Sequence, residues 1–585
     1  MRHAGFLASS RLSPPDNQLE IAAGTMLVSG ECLEYRVDGP LSMFRAAAEP
    51  LPPSKVRDSK DSIVTWDGRL DNGTELAARL GLAAALPDST IVAKAFEEWR
   101  EESFGRFVGD WAVSIWCGRS ETLYLGRDFG ATRPLFYRQL SGGVAWSSEL
   151  RTLAVTLPAP GVDLDYAATY IANDPAAHTS PFLQVFSVPP GQVLRFRNGS
   201  VHRLTAWLPS PHDTIRYGSS DDYVAHFFRL MQQAVSDRIA AGGHVLAELS
   251  GGLDSSSVVC VASTFRQGEG RSSLTAVSYV HERGHIDDEQ QYVDAVRNKT
   301  GLRVVRVPEA SYSAFKSDVL GAYQPITNPG RLGVLMSLAY STGARIVLRG
   351  QGGDAVMWSM PMPPDLFARL REGLPLRFLS ELGRYSRVLN VNVWSLIRLA
   401  AKAQRRPLRR PVWLTRTPQE PSSDAPFGVI PGDATHEWRA SARAISDTIR
   451  ISSFQTLRAV SALDTSSPLL DRRLVQFMLA VPFEAKCPQG EGRGLHRRAM
   501  SGCLPSEVAL RRTKVGGTGY IGRSFAREWD WIGQLFDRSA RVVELGLVNK
   551  RQLDESLQRC RLGVEEEVRP LVRLIAVEQW LRNVQ

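Results

Sequence analysis

Cysteine is scarce in this chain: six among 585 residues, at positions 32, 117, 260, 487, 503 and 560, with no C-x-x-C pair. That excludes a disulfide-stapled secreted scaffold and a cysteine-built zinc site, and it fits a reducing compartment. No apolar run approaches the roughly 20 residues that cross a bilayer. The opening Met1-Arg2-His3-Ala4-Gly5-Phe6-Leu7 lacks the apolar core of a secretory signal, so a cytoplasmic protein with no membrane partner is expected. Long blocks of one charge sign are also missing. The net charge is +9, and the densest basic cluster is Arg405-Arg406-Pro407-Leu408-Arg409-Arg410. No aromatic-interleaved basic motif accompanies it, so no nucleic-acid partner is expected, whereas an acidic peptide or partner protein suits the charge. There is no internal repeat, and no G-x-x-x-x-G-K-[ST], so any phosphate-binding loop must be of another kind.

What is present is an ordinary globular composition, 43% apolar and 22% charged, over a length that calls for two domains or more. Residues 1–208 hold short alternating segments such as Trp111-Ala112-Val113-Ser114-Ile115-Trp116, Thr122-Leu123-Tyr124-Leu125 and Gly191–Phe196, separated by turn residues. They predict a strand-rich domain, with a helix over Ser89–Trp99. Residues 209–220 are polar and rich in Pro, Gly and Ser, a natural linker. From 221 to 585 strands alternate with helices, the pattern of a parallel α/β core with additional helices, including Arg473–Ala480 and Arg569–Leu581. A Pro/Arg-rich tract over 403–432 has little periodicity and reads as a mobile loop or lid.

The sharpest signal is His244-Val245-Leu246-Ala247-Glu248-Leu249-Ser250-Gly251-Gly252-Leu253-Asp254-Ser255-Ser256-Ser257, followed by the apolar Val258–Ala262. It reads as strand, tight loop, helix. Glycines let the backbone approach an anion, and the new helix offers free N–H groups and its positive end. Asp254 beside a phosphate calls for a cation between them, Mg²⁺ for choice. Ser250–Ser256 resembles the pyrophosphate loop of the N-type ATP pyrophosphatases, which split ATP between the α and β phosphates to make an acyl-adenylate.

Four further strings extend the resemblance: Trp66-Asp67-Gly68-Arg69-Leu70-Asp71-Asn72, Phe107-Val108-Gly109-Asp110-Trp111-Ala112, Arg127–Tyr137 and Ser147-Ser148-Glu149-Leu150. In their order and spacing, and with the Ser250 loop, they resemble the asparagine synthetase B family along almost the whole chain. The resemblance implies a glutaminase-like αββα sandwich of the N-terminal-nucleophile type, followed by an ATP pyrophosphatase synthetase domain. Family amidotransferases begin Met-Cys-Gly and attack glutamine with that Cys. The matching word here is Ala4-Gly5-Phe6, and the Asn-Gly of the oxyanion site is Asp67-Gly68. Without a thiol or hydroxyl no covalent glutamine hydrolysis is possible, so the first domain reads as catalytically inactive. Two branches of the family then fit, β-lactam synthetases and lasso-peptide cyclases (macrolactam synthetases). Both adenylate a carboxylate that an amine of the same molecule attacks.

By the same resemblance the cofactors are ATP and Mg²⁺. Arg345–Asp354 is a second strand ending in a Gly-rich turn and an Asp, matching the family's second ATP-site motif. Asp254 and Asp354 would hold Mg²⁺. Leu249, Ser250, Gly251, Gly252, Asp254, Ser255 and Ser256 would hold the phosphates, with Gly350 near the nucleotide and Ser278 near adenine. Lys514, in Leu510-Arg511-Arg512-Thr513-Lys514-Val515-Gly516-Gly517, matches the family's essential lysine, a cation for the developing oxyanion. Thr465–Val475 matches a structural segment. Asp354 also serves as a helix N-cap on a purely structural reading. The family's general base, Glu or Tyr, is replaced by Gln351, which cannot take a proton. A peptide α-amine is about a tenth free base at pH 7 already, and holding it at the acyl group supplies an effective molarity of about 10⁵ M or more. That favours attack by a peptide N-terminus.

His281-Glu282-Arg283-Gly284-His285 spells the H-E-x-x-H zinc word. It follows a strand and contains Gly284, and the helix is expected to start at Asp287-Asp288-Glu289, so the word reads as a loop. The expectation is therefore an ATP-dependent lasso-peptide cyclase. It would adenylate an Asp or Glu side chain of a leader-processed core peptide and close an isopeptide macrolactam with the N-terminal amine, aided by a leader peptidase and a leader-binding protein. A β-lactam synthetase-like ligase on a small amino acid is the alternative, and a non-catalytic peptide-binding relative a third.

Overall fold

The fold is that of a computed structural model, which describes residues 2–8, 32–38, 41–47, 62–83, 86–140, 143–155, 158–172, 175–240, 242–265, 273–281, 289–316, 323–357, 375–389, 391–404, 410–418, 433–453, 463–488, 491–512, 518–562 and 568–584. The first half forms two antiparallel sheets. One has the order β2 (Cys32–Asp38), β3 (Leu41–Ala47), β1 (Arg2–Ala8), β8 (Gly143–Ser147), β7 (Phe136–Leu140), β9 (Val185–Ser187). The other runs β11 (Ser200–Thr205), β10 (Gln192–Arg197), β6 (Thr122–Arg127), β5 (Trp111–Cys117), β4 (Ser62–Gly68).

Strand β5 shows why they stack. Side chains alternate across a strand. Trp111, Val113 and Ile115 pack under helix α1 (Asp88–Trp99) with Ile91, Val92 and Phe96. Ala112 and Trp116 point the other way, onto Met43 and Trp146 of the opposite sheet. The outer face of that sheet, through Phe6 and Ala145, meets α2 (Leu164–Ala172) and the C-terminal Trp580. Helix, sheet, sheet and helix thus form the expected αββα sandwich.

The polar stretch after it is tied to the second half: Ile215 N–H donates to Ala480 O at 2.9 Å. Ser219 and Asp222 form a capping box at the head of α3 (Ser220–Ile239). A five-stranded, all-parallel sheet follows, ordered β14 (Arg303–Pro308), β13 (Ser273–Val280), β12 (His244–Glu248), β15 (Ile346–Leu348), β16 (Asp464–Ser466). The chain builds outward from β12 to β14, then returns to β15 on β12's other side. In open α/β sheets such a reversal marks the crevice where ligands bind, at the carboxyl ends of the strands.

The expectation of a loose loop over 403–432 needs correction in part. Residues 403–404 end a helix, Val393–Gln404. Trp413 and Leu414 are 0% and 1% exposed. Asn549 N–H donates to Trp413 O at 2.8 Å, and Thr415 N–H to Leu547 O at 3.0 Å. Burial of an indole and backbone pairing pin this stretch; residues 405–409 and 419–432 lie outside the described residues.

Charges sew the halves together. Asp110, on the turn before β5, accepts from Arg238 of α3 at 3.1 Å and from Ser466 of β16 at 3.1 Å. Arg133 meets Asp464 at 2.8 Å, and Arg238 also meets Asp471 at 2.9 Å. Burial pushes the Asp110 carboxyl up, but the guanidiniums of Arg238, Arg69 and Arg133 hold it down, at about 2.

Candidate functional site

Two loops meet at the reversal point. The first leaves β12 at Leu249, whose N–H donates to Val277 O of β13 at 2.8 Å. Ser250 and Ser255 then close the loop on itself: Ser250 N–H donates to Ser255 Oγ at 3.1 Å, and their hydroxyls lie 2.9 Å apart. Gly251 turns with φ +77°, and a Cβ there would meet Tyr292 Cβ at 2.9 Å. Arg511 braces the turn, donating to Gly251 O at 3.2 Å while it pairs with Glu289 and lies 4.2 Å over the Tyr292 ring. The loop opens helix α4 (Leu253–Thr264), whose N-cap Gly252 offers no side-chain cap. The first-turn N–H groups therefore suit an anion.

The second loop leaves β15. Its Arg349 pairs with Glu248 at 2.9 Å, joining the ends of the two strands. Gly350 backs onto α4: a Cβ would lie 2.5 Å from Ser255 N. The short helix Gly353–Val356 follows and carries Asp354.

Sequence reading paired Asp254 with Asp354, and the structure brings them to one cation. Arg493 Nη1 donates to Asp254 Oδ1 at 2.9 Å and Oδ2 at 3.0 Å, and its Nη2 donates to Asp354. Arg493 sits just ahead of α5 (Gly494–Met500) in the left-handed region, φ +58°, a conformation that costs a non-glycine residue about 1 kcal/mol or more. His496 on that helix places Nδ1 3.9 Å from Asp254 Oδ1 and Nε2 2.9 Å from Ser257 Oγ. Burial, then the charges of Arg493 and Arg497, push the imidazole down to about 3, so it is neutral. Arg493, His496 and Arg511 escaped sequence reading. Arg493 and His496 come from a segment without a known word, although an arginine between Gly492 and Gly494 hints at an unusual turn; Arg511 stands in the Leu510–Gly517 word, where only Lys514 carried an expectation.

The donor set suits Mg²⁺. Two carboxylates already share one cationic partner, and hard oxygens beside a phosphate loop match its preference. Among the described residues no group of three or more His, Cys, Asp or Glu could by itself hold a metal ion. Phosphate oxygens and water would therefore complete the shell.

Other expectations fall differently. Ser278 is 1% exposed on β13, one residue past the Leu249 hydrogen bond. Ser256 is fully buried, with an Oγ that has no hydrogen-bond partner among the described residues. Lys514 lies outside the described residues, as do 282–288, which hold most of the zinc word; the helix after it runs Gln290–Thr300 with Glu289 as its N-cap. His281 is described: its Nδ1 lies 2.7 Å from Glu309 Oε2, and Arg523 pairs with the same carboxylate at 2.8 Å. Ala4 is 5% exposed within β1, paired to Phe44 on one side and Ser147 on the other. On the family resemblance Ala4 stands at the nucleophile position, where it would present only a methyl group. Asp67 is fully buried, 3.7 Å from Arg133.

Comparison with known proteins bears on both halves. Residues 226–582 match the asparagine synthase family, and residues 43–207 match the glutamine amidotransferase domain. The glutamine-hydrolysing asparagine synthetase 3 of Bacillus subtilis is 21% identical over 530 residues, covering 85% of this chain and 81% of that one. Carboxyethyl-arginine β-lactam synthase of Streptomyces clavuligerus is 26% identical over 196 residues, 33% of this chain and 36% of that one. Among solved structures, glutamine phosphoribosylpyrophosphate amidotransferase of B. subtilis aligns with 61% of this chain and 77% of its own, at 10% identity and a TM-score of 0.27.

Proposed function

Because this chain belongs to the asparagine synthase family, we propose that it is an ATP-dependent amide ligase whose amine comes from its own acyl substrate: a lasso-peptide cyclase. An Asp or Glu carboxylate oxygen of a leader-processed peptide attacks the α-phosphorus of ATP, and the α–β phosphoanhydride bond breaks with loss of pyrophosphate. The peptide's N-terminal nitrogen then attacks the acyl carbon, AMP leaves with the bonding pair, and the ammonium proton passes to solvent. The observation that carries adenylation is the convergence of Asp254 and Asp354 on Arg493 beside an uncapped helix start.

Each group has a task. The backbone of Ser250–Gly252 and the first turn of α4 receive phosphate oxygens. Arg511 holds that loop in shape and leads into the Thr513–Gly517 word, whose Lys514 would face the oxyanion. Asp254 and Asp354 would hold Mg²⁺, which supplies neutralisation of the leaving pyrophosphate. Ala4 favours an internal amine, since no ammonia can be released from glutamine by a methyl group. Gln351 favours an amine that needs little deprotonation, such as a peptide N-terminus. The precursor peptide, and with it a leader peptidase and a leader-binding protein, are the partners this reading requires.

ATP–pyrophosphate exchange tests it, comparing a leader-free candidate peptide with small amino acids, beside Asp254→Ala. Exchange with the peptide, lost in the variant, together with a product lighter by one water, supports the cyclase. Exchange with a small amino acid alone moves the assignment to a β-lactam synthetase-like ligase, the reading that the Streptomyces relative favours. A non-catalytic peptide binder would exchange with neither.

A further inference from the structure

His496 lies 3.9 Å from the Asp254 carboxylate and has no task in the reading above. Its ring is 1% exposed and packs on Phe227, centroids 5.5 Å apart. Ser257 has a single hydroxyl proton and gives it to Leu253 O at 2.7 Å. The 2.9 Å contact with His496 must therefore run from Nε2–H to Ser257 Oγ. That leaves a lone pair on Nδ1, a buried atom without a hydrogen-bond partner among the described residues, 3.9 Å from Asp254 Oδ1. A buried acceptor calls for a donor, and the part-exposed Asp254 carboxylate, which already accepts from Arg493, borders the space beside Nδ1.

The spacing selects what fits. Neighbouring ligands of one octahedral Mg²⁺, with bonds of about 2.1 Å, stand about 3 Å apart. At 3.9 Å, Nδ1 and Oδ1 are too far apart to be adjacent ligands of one ion. A water molecule giving each a hydrogen bond of about 2.8 Å spans the gap, and Mg²⁺ keeps several of its waters when bound.

We propose that His496 is a positioning residue for the divalent cation. Its Nδ1 accepts a hydrogen bond from a water of the cation's own shell and thereby fixes the hydrated ion against Asp254. The proposal rests on the adenylation reading. It assigns a task to a side chain 242 positions from Asp254 in the chain.

Mn²⁺ is the probe, with its free concentration read by electron paramagnetic resonance in the presence of a non-hydrolysable ATP analogue. Two variants separate the ring nitrogens. In His496→Gln the amide nitrogen takes the place of Nε2 and keeps the Ser257 bond, but nothing replaces Nδ1. In His496→Asn the amide oxygen takes the place of Nδ1 and the Ser257 bond is lost. Loss of an outer-sphere partner weakens metal binding about 10- to 100-fold. His496→Gln is expected to weaken Mn²⁺ at least that far, while His496→Asn stays near wild type and metal-free analogue binding is unchanged in both. Wild-type Mn²⁺ affinity in His496→Gln overturns the proposal, as does an equal loss in both variants, which would mark a packing defect. If the wild-type chain binds neither analogue nor Mn²⁺, the adenylation reading falls as well.

Discussion

Gly353 faces Asp254 so closely that a Cβ on Gly353 would lie 2.2 Å from the carboxylate carbon. The glycine keeps open the space the aspartate needs to reach Arg493. Gly353→Ala is therefore expected to turn Asp254 aside. A misplacement of about 1 Å costs about a hundredfold in rate, so pyrophosphate exchange should fall at least that far with the melting temperature little changed. Exchange at the wild-type rate would show that the Asp254 position is not critical.

Gly350 makes a different contact. Its phantom Cβ meets backbone, Ser255 N at 2.5 Å and Cα at 2.7 Å. Gly350→Ala must push α4 away from the β15 loop, an overpacking cost of about 1–3 kcal/mol. Here denaturant unfolding should register the loss directly. Unchanged stability would contradict the close approach of the two loops.

Arg493 competes with any metal for Asp254 and Asp354. In Arg493→Gln the two carboxylates lose the charge of Arg493. Mn²⁺ binding without nucleotide is expected to tighten by about tenfold, the equivalent of about 1.4 kcal/mol, and binding isotherms would read it. Weaker Mn²⁺ binding in the variant would show instead that Arg493 shapes the cation site.

Restoring a thiol should not restore a glutaminase. In Ala4→Cys the sulfur would emerge from the middle of β1, paired on both edges, in a domain where the family's Asn-Gly word reads Asp67-Gly68. Ammonia release from glutamine is expected to stay at background. Measurable release would mean that the inactive domain lacks only its nucleophile.

Asp110 contributes to the acid dependence of stability. Its carboxyl is held at about 2 in the folded chain, against an ordinary 3.8. A depressed carboxylate stabilises the fold above its unfolded value, and the contribution is lost as pH falls through the folded one. Melting temperature should therefore drop between pH 4 and about 2, and Asp110→Asn should flatten that part of the profile while lowering the plateau above it. A variant as pH-sensitive as the wild type would remove Asp110 from the account.

Much of the site was legible because its parts are local. Strand, glycine turn and acid follow one another within a few residues at Leu249–Asp254 and again at Leu348–Asp354, and each such word carries its own backbone physics. Strands β5, β6 and β10 and helix α1 were legible for the same reason, through period and turn residues. The guanidinium between the acids was not. Arg493 reaches Asp254 across 239 positions, and nothing in the periodicity of its segment marks a destination. The Pro/Arg tract misled in the opposite sense: its composition suggests a loop, yet Trp413 is fully buried among residues of the last helices. Burial of one indole outweighed the composition of its neighbours.

The cores themselves ignore the boundary near residue 208. Phe129 and Ala131 pack among residues of α3, α4 and β12, and Phe6, Tyr166 and Phe182 pack with Leu571, Trp580 and Leu581. With Asp110 and Arg133 each paired across the same divide, neither half can open without stripping apolar surface and charge partners from the other. The two halves are therefore expected to unfold as one cooperative unit, and a calorimeter should see a single transition where a chain of this length ordinarily gives two.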